Sequence, residues 1–236
     1  MKPSSPAPAA ANRQFIEVVA AGIAHEVRNP LNALQINLRI LEQELSEVVA
    51  DRDAHVYSVL AKISNELASL DHFVSEFLRF ARPPRLKIET LNVKSLLGDL
   101  VTFIAPELDK KDIQLTVALD KGPAVIAADN FQLKHAVLNL VLNALQATPR
   151  GGAIAVETAQ EGQRLLIEVR DSGEGIPADK LERVFDLFFT MREGGTGLGL
   201  PIARRIIEEH GGKLTLASRP GQGTSARILL PVRAGG

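Results

Sequence analysis

Five short stretches of the 236-residue chain combine residue types that could do chemistry. In His25-Glu26-Val27-Arg28-Asn29-Pro30, an imidazole sits beside a carboxylate and one helical turn before an amide. The carboxylate can take the proton of one ring nitrogen and sharpen the other as a nucleophile. The same residues also fit a plainer arrangement, a solvated helical histidine next to an ordinary glutamate. Asn139 and Asn143 are spaced i, i+4 in an otherwise apolar run from Phe131 to Thr148, so they share a helix face. A buried amide left unpaired costs about 1–3 kcal/mol. The pair therefore needs partners: a magnesium ion, a polyphosphate oxygen, or nearby backbone. In Asp171-Ser172-Gly173-Glu174-Gly175-Ile176-Pro177, alternate glycines allow close approach to a flat ligand, and a fixed carboxylate can accept from an exocyclic amine. Gly194-Gly195-Thr196-Gly197-Leu198-Gly199-Leu200-Pro201 opens a predicted helix, where free N–H groups and a positive dipole end suit phosphates. Arg192, just upstream, could add a charge-assisted contact to a terminal phosphate. Gly221-Gln222-Gly223-Thr224 forms a turn before the last predicted strand. No P-loop lysine follows the glycine run and no βαβ unit precedes it, which excludes both common phosphate fingerprints.

These residues need elements to hold them. Ile23, Val27, Leu31, Leu34, Leu38, Leu41, Leu45 and Val48 recur at helical spacing, and so do Val56, Leu60, Ile63, Leu67, Leu70, Val74 and Phe77. The two runs predict long helices packed antiparallel across a short break near Asp51–Asp53. His25 falls between stripe positions Ile23 and Val27, so it points towards solvent, and Pro30 bends the helix just below it. Ile36, Ile40, Val59, Phe73 and Leu78 widen the stripes beyond what one hairpin covers, which predicts two hairpins paired as a four-helix bundle, a homodimer through residues 13–82. Residues 1–12, rich in Pro, Ala and Ser, read as a disordered lead-in or linker. Arg82-Pro83-Pro84-Arg85 ends the second helix and marks the domain boundary.

Over residues 83–236 the pattern predicts strands at 87–91, 113–119, 152–159, 164–171, 212–218 and 224–232. Helices are predicted at 93–109, 130–147, 178–184 and 199–210. The fold class is therefore multidomain, α followed by α+β, with a mixed sheet covered on one face by helices.

Composition excludes several alternatives. With no Cys there are no disulfides, thiol nucleophiles or cysteine-ligated metals. A net charge of −1 and 4% aromatics argue against a nucleic-acid surface. No apolar run approaches the ~18–20 residues of a membrane span, and the first residues lack a signal-peptide core. The expectation is a soluble cytoplasmic chain, with any sensor module or membrane anchor upstream of it.

In order and spacing, the first four of these stretches, with a phenylalanine-rich run between the third and fourth, resemble the catalytic core of bacterial two-component sensor histidine kinases over residues 13–233. His25–Pro30 resembles the phosphoacceptor box and Asn139–Asn143 the asparagine box. Asp171–Gly175 and Gly195–Gly199 resemble the two main glycine boxes, with Phe185-Asp186-Leu187-Phe188-Phe189 as the phenylalanine box between them. The resemblance implies a dimeric phosphotransfer hairpin followed by an α/β-sandwich ATP-binding domain shared with gyrase-type and chaperone-type ATPases. It implies that His25 attacks the γ-phosphate of ATP with Glu26 as hydrogen-bonding base. Asn143 would be the Mg2+ ligand and Asn139 would line the phosphates. Asp171 would accept from the adenine amine in a pocket completed by Gly173, Gly175 and Thr224. Gly195, Gly197, Leu198 and Gly199 would bring backbone contacts to the polyphosphate.

The resemblance also implies transfer from His25 to an aspartate on the receiver domain of a response regulator. That partner would dock near Asn32, Gln35, Ile36, Arg39 and Ile40. Asn29 matches the position that orients water for dephosphorylating it. Two departures stand out. Gln146-Ala147 replaces a basic-aromatic pair common after the asparagine box, leaving Arg192 as the candidate cation. The segment 178–194 is also short for an ATP lid, with Phe185, Phe188 and Phe189 expected to anchor it by packing. His55, His72, His135 and His210 read as structural, His210 near a helix C-terminus where a cation is favourable. The rival from another class is a non-catalytic dimeric scaffold with a vestigial nucleotide site.

Overall fold

The computed structural model describes residues 31–32, 34–41, 43, 45, 54–81, 85–120, 125–192 and 195–232. The expected lead-in at 1–12, the candidates His25, Glu26 and Asn29, the bend at Pro30, the connection near Asp51–Asp53 and the residues Arg82–Pro84 lie outside them, as do Gly194 and the side chains of His55 and His72. The chain divides into two compact units, Met1–Pro84 and Arg85–Gly236.

In the first unit the described residues between 31 and 45 are helical (α1), and α2 runs over Ala54–Ala81. Leu31 and Val74 form a buried cluster with Leu67 and Leu78 packed on it. The heptad pattern splits by position. Leu31, Leu38 and Leu45 on α1, and Leu60, Leu67 and Val74 on α2, are buried or half-buried. The alternate positions, Leu34 and Leu41 on α1 and Ile63 and Leu70 on α2, stay 42–50% exposed. One seam is thus covered within the hairpin and the other is not. Ile36 and Ile40 add to the exposed apolar surface of α1, with Asn32 and Arg39 exposed beside them.

The second unit contains a small two-stranded sheet, β1 (Glu89–Asn92) antiparallel to β3 (Val125–Ala128). Its main sheet has the order β2-β4-β5-β7-β6. These strands are β2 (Gln114–Ala118), β4 (Ala153–Glu161), β5 (Arg164–Asp171), β6 (Lys213–Ser218) and β7 (Thr224–Pro231). Only the β2–β4 pairing is parallel. The helices are α3 (Val93–Lys110), α4 (Asn130–Ala147) and α5 (Gly199–Glu209). Asn92 caps α3 by accepting from the Lys94 and Ser95 N–H groups, and Asp129 caps α4 by accepting from Gln132 N–H.

Register orders the core. Val156, Val169, Ala226 and Leu216 form one cross-strand row, and Thr158, Ile167, Ile228 and Leu214 the next. Their face is the buried one, with Ile167 and Ile228 fully inside, and α4 and α5 bury Leu133, Val137, Leu140, Ile202, Ala203 and Ile207. The opposite face carries a charged ladder in which the Arg170 guanidinium holds the Glu168 carboxylate through Nε and Nη2, both 2.9 Å away.

Two differences from the sequence expectation concern short segments. The strand β3 was not predicted; its four residues, half of them alanine, are too few to show alternation and find their place by pairing with β1. The helix expected at 178–184 is a chain of turns, with the Lys180 and Leu181 N–H groups bonded to the Pro177 and Ala178 carbonyls, ending in a 3-10 turn at Arg183–Phe185. A stretch this short gives too little propagation to offset the cost of nucleating an α-helix.

Candidate functional site

The buried stripe of β5 ends in a carboxylate. Asp171 lies in the same cross-strand row as Ile154, Thr224 and Ser218, so the row after the apolar ones is polar on the face that the helices cover. Asp171 Oδ1 accepts from Gly173 N–H (2.8 Å) and Thr224 N–H (3.2 Å). Burial pushes its pKa up, and these two hydrogen bonds partly oppose the shift. Both donors fall on one oxygen, which leaves Oδ2 without a hydrogen-bond donor among the described residues.

Behind this carboxylate, the Ser218 hydroxyl ties the loop ends together. It donates to Gly223 C=O (2.8 Å), accepts from Ile176 N–H (2.8 Å) and lies 2.9 Å from the Thr224 hydroxyl. Gly175 has φ +71, and a Cβ there would overlap the Arg219 carbonyl, so the position admits only glycine without rearrangement. Gly173 packs against the Ala147 carbonyl at the end of α4.

The asparagines come from α4. Asn139 and Asn143 are half-buried beside the apolar stripe, and Asn139 Nδ2 is buried with no hydrogen-bond partner. Native interiors rarely leave such a donor orphaned, so Asn139 Nδ2 is open to an acceptor. The start of α5 lies against both amides: a Cβ on Gly199 would stand 3.7 Å from Asn143 Nδ2 and 3.8 Å from Asn139 Cγ. Leu198, the fully buried N-cap of α5, offers no side-chain cap, and the first turn holds no acidic residue. The positive dipole end of α5 thus stands beside the two amides, and a helix start without a cap is the kind of place where an anion can bind.

The segment before α5 is pinned at two points. Gly197, at φ +65, accepts from Phe188 N–H (3.1 Å), and a Cβ there would strike the Phe188 backbone. Phe188 itself holds φ +66 with a half-exposed side chain, an uncommon conformation for a bulky residue. Arg204 of α5 sits 5.0 Å from the Phe185 ring centroid, and Arg183 sits 4.4 Å from that of Phe189. Gly195 is exposed, with its N–H on the Arg192 carbonyl (3.3 Å).

Arg192 links the two halves of the site. Its Nη1 donates to Gln146 Oε1 (2.9 Å), its Nη2 to the Asn143 carbonyl (3.3 Å), and its Nε lies 3.9 Å from Glu174. The structure thus gathers Asn139, Asn143, Leu198, Gly199 and Arg192 on one side, and Asp171, Gly173, Gly175 and Thr224 on the other. Ser218 and the contact of Gln146 with Arg192 were not foreseen. Finding Ser218 requires knowing that β6 and β7 pair so as to put it opposite Thr224.

Among the described residues no group of three or more His, Cys, Asp or Glu could hold a metal. A divalent cation fits here only if a ligand supplies most of its oxygens, with the Asn143 amide oxygen as the protein's share. No helix among the described residues is long and apolar enough to cross a membrane.

Residues 16–85 match the family model described as the His Kinase A (phospho-acceptor) domain. Residues 128–234 match the one described as histidine kinase-, DNA gyrase B- and HSP90-like ATPase. The chain is 35% identical over 215 residues to the sensor histidine kinase ZraS of Escherichia coli (strain K12), an alignment covering 91% of this chain and 45% of ZraS. It therefore spans about half the length of the curated relatives it matches. Among solved structures, full-length ShkA in complex with AMPPNP aligns with TM-score 0.78 and 26% identity over 92% of this chain and 46% of ShkA. The catalytic domain of the histidine kinase ThkA aligns at 31% identity, TM-score 0.58, over 62% of this chain and 96% of that domain. ThkA has also been solved in complex with the response regulator TrrA, and that structure aligns over 91% of this chain and 61% of the other at 27% identity and TM-score 0.69.

Proposed function

We propose a reaction for a chain that belongs to the sensor histidine kinases: its second unit binds Mg-ATP and delivers the terminal phosphoryl group to His25. The observation that carries this reading is the orphaned Asn139 Nδ2 beside Asn143 and the uncapped start of α5. An amide donor, backbone N–H groups and a helix dipole converge where a polyphosphate would place its oxygens. Asp171 Oδ2 supplies an acceptor for an exocyclic amine, as adenine has, with Gly173, Gly175 and Thr224 closing that end. Gly195, Gly197 and Leu198 hold the chain that leads the α5 N–H groups to the phosphates. Asn143 would hold Mg2+ at this end, where the ion would neutralise charge on the transferring group.

The step is a displacement at phosphorus. One ring nitrogen of His25 forms a bond to the γ-phosphorus as the bond to the β–γ bridging oxygen breaks, and ADP leaves. Glu26 takes up the hydrogen bond of the other ring nitrogen and stabilises the charge that develops on the imidazole. The phosphoryl group then passes to an aspartate of a response-regulator receiver domain docked along Asn32, Gln35, Ile36, Arg39 and Ile40, of which only Gln35 is partly covered. Asn29 would orient the water that dephosphorylates that partner. A histidine kinase solved with its response regulator, ThkA with TrrA, supports this class of partner. We assign residues 13–82 to a dimeric phosphotransfer domain, 83–236 to the ATP-binding domain and 1–12 to a lead-in, and place all three in the cytoplasm, where ATP and receiver domains are.

Incubation with γ-labelled ATP tests the assignment. The native chain should acquire acid-labile, alkali-stable label, and His25→Gln should acquire none while still binding nucleotide. Label retained by His25→Gln overturns the phosphoacceptor. Absence of label on the native chain overturns the kinase reading in favour of a scaffold.

A further inference from the structure

Gln146 completes a stripe of amides along one face of α4. Asn139, Asn143 and Gln146 are spaced i, i+4, i+7, and the last stands where the family commonly carries a base. Its side chain is exposed, so nothing in the packing of α4 requires an amide there. What it does contact is Arg192: Oε1 accepts from Nη1 at 2.9 Å. The guanidinium is fixed at two further points, the Asn143 carbonyl at 3.3 Å from Nη2 and the Glu174 carboxylate at 3.9 Å from Nε. These contacts use one N–H of each η nitrogen, and an arginine has a second on each. The charge is thereby held at the last turns of α4, beside the backbone of Asn143, with donors left over.

A cation at position 146 would repel Arg192 from this place, whereas an amide acceptor holds it. We propose that Gln146 is a positioning residue: it fixes Arg192 so that its spare N–H groups meet the third phosphate of a bound nucleoside triphosphate, and so sets the preference for triphosphate over diphosphate. The inference rests on the nucleotide-binding reading given above and adds the source of its selectivity. In this chain the cation for the terminal phosphate comes from the segment preceding α5 and is aimed from α4, which reconciles Gln146 with a site that must hold a highly charged ligand. Glu174, two-thirds exposed at 3.9 Å, limits how far the guanidinium can swing without neutralising it.

Equilibrium dissociation constants for AMPPNP and ADP, measured by titration calorimetry in the presence of Mg2+, test this without reference to turnover. Removing one aligned hydrogen bond to the guanidinium should cost about three- to tenfold in AMPPNP affinity. ADP affinity should stay within twofold. Gln146→Ala and Gln146→Met should behave alike, since the second keeps the side-chain length and removes only the acceptor. In an Arg192→Ala background, either change should have no further effect, because Gln146 acts through Arg192. The proposal is overturned if the native chain binds both nucleotides and Gln146→Met weakens them equally or not at all. It is also overturned if the effect persists in the Arg192→Ala background. A native chain that binds neither nucleotide overturns the nucleotide-binding reading itself, and the selectivity with it.

Discussion

At the residue scale, Asp171 is a carboxyl that the fold holds in the sheet at some cost to its ionised form. Burial raises its pKa, and the Gly173 and Thr224 N–H groups offset only part of that shift. A carboxyl whose folded-state pKa is raised stabilises the fold most at pH values below its unfolded pKa. That contribution is lost as pH rises through the raised folded value, so near neutrality the ionised group is a cost. Binding of the proposed ligand should respond in the opposite direction. An amine donating to Oδ2 is held best by the ionised form, so nucleotide affinity should fall as pH drops through the raised pKa of Asp171. Asp171→Asn keeps an acceptor for the two backbone donors but turns an NH2 towards the ligand amine. It should lower nucleotide affinity about ten- to hundredfold, the worth of a hydrogen bond to a charged group, and remove that pH dependence. The nucleotide-free melting temperature at pH 7 should hold or rise. Calorimetric titrations between pH 5 and 8 with parallel melts check this, and undiminished affinity in the variant would remove Asp171 from the site.

At the element scale, a single imidazole ties the end of α5 to the start of α4, beside the apolar packing that the two helices share. His210, buried at the end of α5, accepts from the Asp129 N–H through Nε2 (3.0 Å) and donates from Nδ1 to the Ile206 carbonyl (2.7 Å). An acceptor Nε2 requires the neutral Nδ1–H tautomer, so His210 serves here as a bridge and not as the helix-end cation that its position suggested. Asp129 in turn caps α4 and accepts from Lys87 N–H (2.8 Å), which joins the chain before β1 to the same knot. His210→Ala strands a buried N–H at the start of α4, a cost of about 1–3 kcal/mol. The melting temperature of the second unit should fall by several degrees, on the order of 2–4 °C per kcal/mol. An unchanged melt would show that water replaces the imidazole without loss.

The same scale explains what the sequence could and could not reveal. The helices α3, α4 and α5 and the longer strands carry enough periods to be read directly, and the glycine runs mark where they must stop. The strand β3 and the turns after Pro177 are too short to carry a period. Ser218 could not be placed because the row Asp171–Thr224–Ser218 exists only once three strands are in register. Gln146 was legible as a departure from the family pattern, but its use was not, since Arg192 is 46 positions away in the chain.

At the scale of the whole molecule, the question is what covers the second heptad seam. Leu60, Leu67 and Val74 of α2 are covered by the hairpin itself, whereas Ile63 and Leu70, each offset by half a heptad, remain 42% and 43% exposed. The same division leaves Leu34 and Leu41 of α1 at 50% and 45%. A lone hairpin leaves Leu34, Leu41, Ile63 and Leu70 each about half in water. Burying the exposed half of each is worth about 1 kcal/mol, so several kcal/mol together and enough to favour association. A second hairpin presenting the same two seams would cover them by symmetry, because an isologous contact matches a surface to itself. Sedimentation equilibrium should therefore find a dimer at micromolar concentration. Ile63→Asp with Leu70→Asp should shift it to monomer, since each places an unpaired charge in the shared seam. Leu67→Asp, directed into the hairpin, should unfold the first unit instead. Nucleotide affinity of the second unit should be the same in the monomeric variant as in the native chain. A native chain that sediments as a monomer, or a double variant that remains dimeric, would mean that some other surface closes the seam.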